Sequence, residues 1–244
     1  MFRAPIAAAL SAGLWSIASG QTQWVADGHA APRIGIYLDF DRNPSKSSIQ
    51  TMQREVAAAL DATGAQFSWL TLNSGKRTET FDELAILHFL GDCRMGKLVE
   101  IPGVEPMTLG ETEMVSGGVS AYSSVECDQI RTCISGLLGS ACPRDRETAF
   151  GRALGRVVAH ELYHILGKTT EHTRSGISKG AQTSFDLIRE NFHFDRQALL
   201  WLHQRLFSAL SRSAAGGVMA GHHPADRLGH SLTCLRFLRL ITDY

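Results

Sequence analysis

Residues His160 to His172 read "HELYHILGKTTEH". Three histidines and two glutamates fall within thirteen residues. An α-helix advances by about 100° per residue, so side chains four apart share a face on adjoining turns. His160 and His164 therefore point the same way, and two imidazoles so placed can grip one ion. Glu161, next round the helix, flanks that ion without ligating it. A catalytic zinc needs a third protein ligand and keeps its fourth position for water. Gly167 is expected to end the helix in a left-handed turn. The chain then doubles back, and His172 reaches the same ion. Glu190, farther along, is the alternative third ligand.

The residues before the motif support a buried setting. Leu154, Val157, Val158, Leu162, Ile165 and Leu166 cover most of the circumference of a helix expected over Thr148 to Leu166. Such a helix lies at the centre of a core. Burying two imidazoles and a carboxylate there is costly without a partner for them. A metal ion, Zn2+ for this donor set, is the natural partner.

Working outward, "RIGIYLDF" (Arg33 to Phe40) reads as a buried strand. Ile49, Met52, Val56 and Leu60 recur at helical spacing after a run of serines, and Gly64 closes that helix. Phe67 to Asn73 alternates like a strand, and Leu84 to Gly91 is an apolar run of buried-strand length. Pro102, Pro106 and several glycines make Lys97 to Gly118 a loop region. Gly118 to Ile130 holds one or two short strands. Thr183 to Ala209 reads as helix throughout. From Ser211 the chain reads as loop, then as a short amphipathic helix or strand. The fold class expected is α+β: a mixed, mostly parallel sheet, a central active-site helix, and C-terminal helices.

Bulk composition sets further bounds. Apolar residues are 44% and charged residues 20%, and 24 Lys plus Arg balance 24 Asp plus Glu. No broad positive field exists for nucleic acid. Residues 1–20 carry one cation, Arg3, a small-and-apolar run and then Ala18-Ser19-Gly20, the pattern of a signal peptide cleaved before Gln21. A secreted or periplasmic protein is expected, with no stable membrane insertion after cleavage. Residues 21–190 are then the catalytic domain and 191–244 a C-terminal helical extension packed on it; a monomer is expected. Of five cysteines, Cys93, Cys127, Cys133 and Cys142 are close in sequence, and disulfides among these four are expected in an exported chain. Cys234 is left as the free thiol.

These residues resemble the zincin metallopeptidases, and most closely their metzincin-like branch, whose motif is H-E-x-x-H-x-x-G-x-x-H. His160, Glu161, His164 and Gly167 match in place, while His172 comes two residues late. The longer spacing is similar to that of a group of uncharacterised bacterial exported proteins with a Gly-Ile-Met turn soon after the third histidine. Gly176 and Ile177 match that turn, but Ser178 stands where the methionine would be; Met219 is offered as a distant substitute, although Gly217 to Gly221 reads first as a plain loop. The resemblance spans roughly Arg33 to Leu187. It implies a zinc peptidase acting on a peptide or protein substrate, with Glu161 as general base and His160, His164 and His172 as ligands. It also implies an edge strand over the zinc that pairs with an extended substrate, for which Gly117 to Ser124 is the candidate. Tyr163 and Tyr122 are candidate helpers for the oxyanion. The competing readings are a non-catalytic zinc-binding or interaction protein on the same scaffold, favoured by Ser178, and a hydrolase of some other amide. His222 and His223 read as a solvated loop, and His88 as a hydrogen-bonded core histidine.

Overall fold

Ile34, Ile36 and Leu38 are buried, while Tyr37 and Asp39, on either side of Leu38, are half-exposed. This period-two pattern marks a strand with one covered face, and it runs along β1 (Arg33–Arg42). The computed structural model of the chain describes residues 30–71, 79–96, 106–215 and 230–235. All of these except Ala30 fall in one compact unit, residues 31–244. The expected signal peptide and Met219, His222 and His223 lie outside the described residues.

After β1 come α1 (Lys46–Leu60), β2 (Gln66–Thr71) and β3 (Glu83–Asp92). Ser45 caps α1, its hydroxyl accepting from the Ser48 amide. The hairpin β4 (Met107–Val115) and β5 (Gly118–Glu126) follows, then α2 (Cys127–Ser135) and the long helix α3 (Pro143–Gly167). The chain ends through β6 (Ala181–Thr183), α4 (Ser184–Ile188), α5 (Arg196–Ala215) and β7 (His230–Leu235). The sheet has the order β2-β1-β3-β5-β4-β7-β6. β4 runs antiparallel to both its neighbours, and every other pairing is parallel. The architecture is thus the mixed, mostly parallel α/β sheet with helices that was expected.

Four expectations need correction. Residues 107–115, read as loop, form β4. The turn that creates the hairpin is Ser116-Gly117, with φ of 53° and 75°, the two-residue left-handed pair that suits strand twist. Gly117 to Ser124, expected at an edge, lies inside the sheet. β5 pairs with β3 on one side and β4 on the other, and β7 takes the outer side of β4. The helix expected over Thr183 to Ala209 is broken between α4 and α5. Arg156, buried in α3, donates to the main-chain carbonyls of Asp186 and Arg189, and Phe192 and Phe194 turn into the core, so that segment runs as irregular chain. Finally, the disulfides are Cys93–Cys127 and Cys133–Cys234. Cys234 is bonded because β7 comes home to the sheet beside α2, and the exposed Cys142 is the free thiol.

The position of α3 is set by its crossing with α1. Gly151 and Gly155 sit four apart on one face of α3. A Cβ at Gly151 would lie 2.7 Å from the Ser48 carbonyl oxygen, and one at Gly155 would lie 2.6 Å from Glu55 Cβ and 2.9 Å from the Met52 carbonyl oxygen. The two backbones approach too closely for any side chain there. Gly155→Val should therefore lower the stability of the metal-free protein by about 1–3 kcal/mol, the usual penalty for overpacking. Urea unfolding would measure it, and an unchanged midpoint would show that the helices separate at little cost.

Candidate metal centre

The last turns of α3 are buried throughout: His160 and Glu161 are fully inaccessible and His164 nearly so. His160 Nδ1 lies 2.7 Å from the Ile177 carbonyl oxygen, and His164 Nδ1 lies 2.8 Å from that of Thr169. A carbonyl only accepts, so each Nδ1 carries the hydrogen. In the neutral ring Nε2 is then a bare lone pair. These lone pairs face one another. His164 Nε2 is 3.0 Å from His160 Nε2 and 3.2 Å from His172 Nε2. His160, His164 and His172 form a group whose ligand atoms all lie within 4.8 Å of one another, as a metal ion requires. Glu190, the alternative ligand, is exposed and outside that group.

The chain reaches this arrangement by a route that differs in detail from the expectation. Gly167 is the last helical residue, and it is Lys168 that takes the left-handed conformation, with φ 48°. Gly167 suits its position for another reason. A Cβ there would lie 3.2 Å from Trp201 Nε1 and 3.1 Å from Thr169 Cγ2, so α5 and the returning chain fill the space. The turn Ser175 to Gly180 then supports the rings. Ile177 supplies the carbonyl for His160, which Gln182 Nε2 also reaches at 2.8 Å. Gly180 backs His172: a Cβ there would lie 3.2 Å from its Cγ and Nδ1. Ser178 is fully buried and pairs with the Thr173 hydroxyl at 2.6 Å. At this turn a polar bond stands where the resemblance implies a methionine.

Burial depresses all three histidines. His160 falls well below its ordinary value, chiefly from burial and then from the nearby His164. Burial brings His164 down to about 4, against the pull of the Thr169 carbonyl. His172 is lowered too, by burial and then by His230. Glu161 moves the other way, up to about 8, because burial outweighs the hydroxyls that bond it. Thr112 Oγ1 donates to Glu161 Oε2 at 2.6 Å, and Ser123 Oγ lies 3.1 Å from the same oxygen. Oε1 has no partner among the described residues. It faces the backbone of Gly110, where a Cβ would lie 2.6 Å from it.

The two tyrosines separate. Tyr163 is buried with its ring centroid 5.4 Å from that of His164, and it lines a cavity of about 990 Å³ with His172, Arg174, Asp195 and Trp201. Tyr122 alternates with Ser123, which faces Glu161, so Tyr122 lies on the opposite face of the sheet. Three participants were not foreseen: Thr112, Ser123 and His230. His230 stands on β7 with its ring 6.3 Å from that of His164. None carries a local signal, because each arrives through strand pairing.

No family profile matches the sequence, and no curated protein matches it. Among solved structures, archaemetzincin from Methanopyrus kandleri is similar with a TM-score of 0.40 and 12% identity, over 72% of this chain and 96% of that one. No described helix is long and apolar enough to cross a membrane.

Two predictions follow from this geometry. In the metal-free protein His164 should remain neutral at pH 6 and titrate near pH 4 by histidine-selective NMR. The unfolded chain binds a proton at His164 from about pH 6.5 downward, whereas the folded chain does so only near 4. His164 therefore contributes stability above pH 6.5 that is lost as pH falls through that window. A titration at the ordinary histidine value would show an open, solvated site. Second, Gly180→Ala should displace His172 and weaken zinc binding by about tenfold or more, the scale of a disturbed supporting contact. Competition with a chromogenic chelator would read it, and unaltered affinity would remove Gly180 from the site.

Proposed function

We propose that this chain is an exported zinc-dependent peptidase in which Glu161 is the general base. One observation carries the reading: the Nε2 lone pairs of His160 and His164, fixed by Nδ1 bonds to carbonyls, face each other, and the His172 ring converges on the same point. Facing lone pairs at 3.0 Å repel unless a cation lies between them. Ligand nitrogens on a tetrahedral zinc, with Zn–N bonds of ~2.0–2.1 Å, stand roughly 3.3 Å apart, so the donor set fits that ion. His160, His164 and His172 would hold it. When bound, zinc supplies a Lewis acid and a water acidic enough to react near neutral pH.

The remaining work falls to this chain's own residues. Glu161 offers Oε1 to the attacking water and takes its proton, then returns that proton to the leaving amine. Thr112 and Ser123 hold Oε2, so the carboxyl group is oriented and only one oxygen is free to act. Burial alone keeps Glu161 protonated to about pH 8; a dication beside it favours the carboxylate the base must be. The cavity beside His172 supports binding of a peptide substrate from the α5 side. The disulfides Cys93–Cys127 and Cys133–Cys234 support folding in an oxidising compartment, in keeping with the export signal read in residues 1–20.

The test is zinc content and cleavage of a fluorogenic peptide library by wild type, His172→Ala and Glu161→Gln. About one zinc per wild-type chain is expected, much reduced in His172→Ala. Glu161→Gln should keep its zinc and lose at least about 10²-fold in kcat, the lower end for a general base. Zinc without cleavage in the wild type would favour the binding-protein reading, or an amide other than a peptide. No zinc would end both.

A further inference from the structure

β7 brings a fourth histidine to the centre. His230 is the partner of Thr112 in the β4–β7 ladder. It shares a strand face with Leu232 and Cys234, both fully buried, and alternate residues of a strand point the same way. His230 therefore faces α3. Its ring centroid is 6.3 Å from that of His164, with the planes 29° apart. Thr112, its cross-strand partner, is the residue whose hydroxyl holds Glu161. General base and imidazole thus meet at one level of the sheet, on the same side as the converging ligand nitrogens.

His230 is not arranged as a ligand. The converging atoms belong to His160, His164 and His172. His160 and His164 each spend Nδ1 on a carbonyl, whereas the His230 ring nitrogens have no hydrogen-bond partner among the described residues. The residue is half-buried, so part of its ring remains reachable. Its strand is also firmly placed. β4 and β6 pair with β7 on either side, and Cys234 bonds to Cys133. An imidazole with an uncommitted N–H, held rigidly beside the proposed zinc, is set up to meet a ligand and not to fill space.

We propose that His230 contacts the substrate, donating an imidazole N–H to the carbonyl oxygen under attack as negative charge builds on it. This rests on the peptidase reading. No bond to His230 forms or breaks; it supplies a fixed dipole where charge develops, an effect whose loss typically costs about 10²–10³ in kcat.

The experiment compares zinc-loaded wild type, His230→Ala and His230→Gln. It measures zinc content, kcat and KM on a peptide, and the Kd of acetohydroxamate, a small zinc-directed mimic of the anionic centre. Equal zinc is expected in all three. His230→Ala should lose about 10²-fold in kcat with KM little changed, and bind acetohydroxamate about tenfold or more weakly. His230→Gln, which keeps a side-chain N–H of similar reach, should recover part of both. Unchanged kcat and unchanged acetohydroxamate affinity in His230→Ala would overturn the proposal and leave the peptidase reading standing. Loss of zinc in both variants would make His230 a fourth ligand and also overturn it. If the wild type holds zinc but cleaves nothing, the peptidase reading fails and this proposal falls with it. No zinc in the wild type overturns both.

Discussion

Two hydrogen bonds hold the centre in place: His160 to the Ile177 carbonyl and His164 to the Thr169 carbonyl. They fix which nitrogen of each ring carries hydrogen, and so aim both Nε2 atoms inward. They also tie the end of α3 to the segment that delivers His172. The carbonyls exist in those positions only because the chain reverses twice. Lys168 accepts a φ of 48° to turn off the helix, and Gly176 takes 74° to turn back. At Gly176 no side chain is possible, since a Cβ would lie 2.5 Å from the His193 carbonyl oxygen. That oxygen in turn accepts from the Ile177 amide at 3.1 Å. The orientation of His160 is therefore inherited from the irregular segment between α4 and α5.

That segment is itself held by α3. Arg156, one turn before His160, reaches the carbonyls of Asp186 and Arg189 and is buried in doing so. Its charge is partly answered by Glu55, 3.7 Å away on α1. One helix thus carries the ligands and clamps the chain that positions them. The cost is a line of buried polar groups along α3: Arg156, His160, Glu161 and His164. Each needs its partner, because an unanswered buried polar group is strongly destabilising. Arg156 is answered by carbonyls at its terminal nitrogens, Glu161 by Thr112 and Ser123 at Oε2 alone, and the histidines on one side only. The unanswered inner side of the histidines is the chemical argument for a cation.

Much of this was legible in the sequence because it is local. The spacing of His160, Glu161 and His164 on one helix, the apolar cover around them and the return to His172 are all expressed within about two dozen residues. β1, α1, β2 and β3 were legible for the same reason. What was not legible depends on contacts between distant segments. β4 is interrupted by Gly110 and carries Glu111 and Glu113, so its apolar signal is thin. It is a strand because β5 and β7 lie beside it. Gly167 was read as the residue that takes the left-handed turn, but Lys168 makes that turn, and α5 packs closely against Gly167. Cys234 and His230 stand 62 and 58 residues past His172, and only strand pairing shows that they belong to the surroundings of the motif.

On the peptidase reading, the pairing of β7 also changes how a substrate would arrive. An extended peptide adding to the sheet needs an open edge next to the centre. Here β5 lies inside the sheet and the outer side of β4 is taken by β7, which is anchored by Cys133–Cys234 and paired again to β6. The backbone groups that would pair with a substrate are already spent on this chain's own strand. What stays open is the other flank, where the cavity runs from Tyr163 and His172 along Arg174, Asp195 and Trp201. Trp201 is half-exposed there although it is large and apolar, and the loop 169–175 forms the opposite wall. Recognition on that side would then come from side chains and not from a shared sheet. Selectivity would then lie in residues of α5 and the 169–175 loop, the elements that also hold His164 and His172 in place.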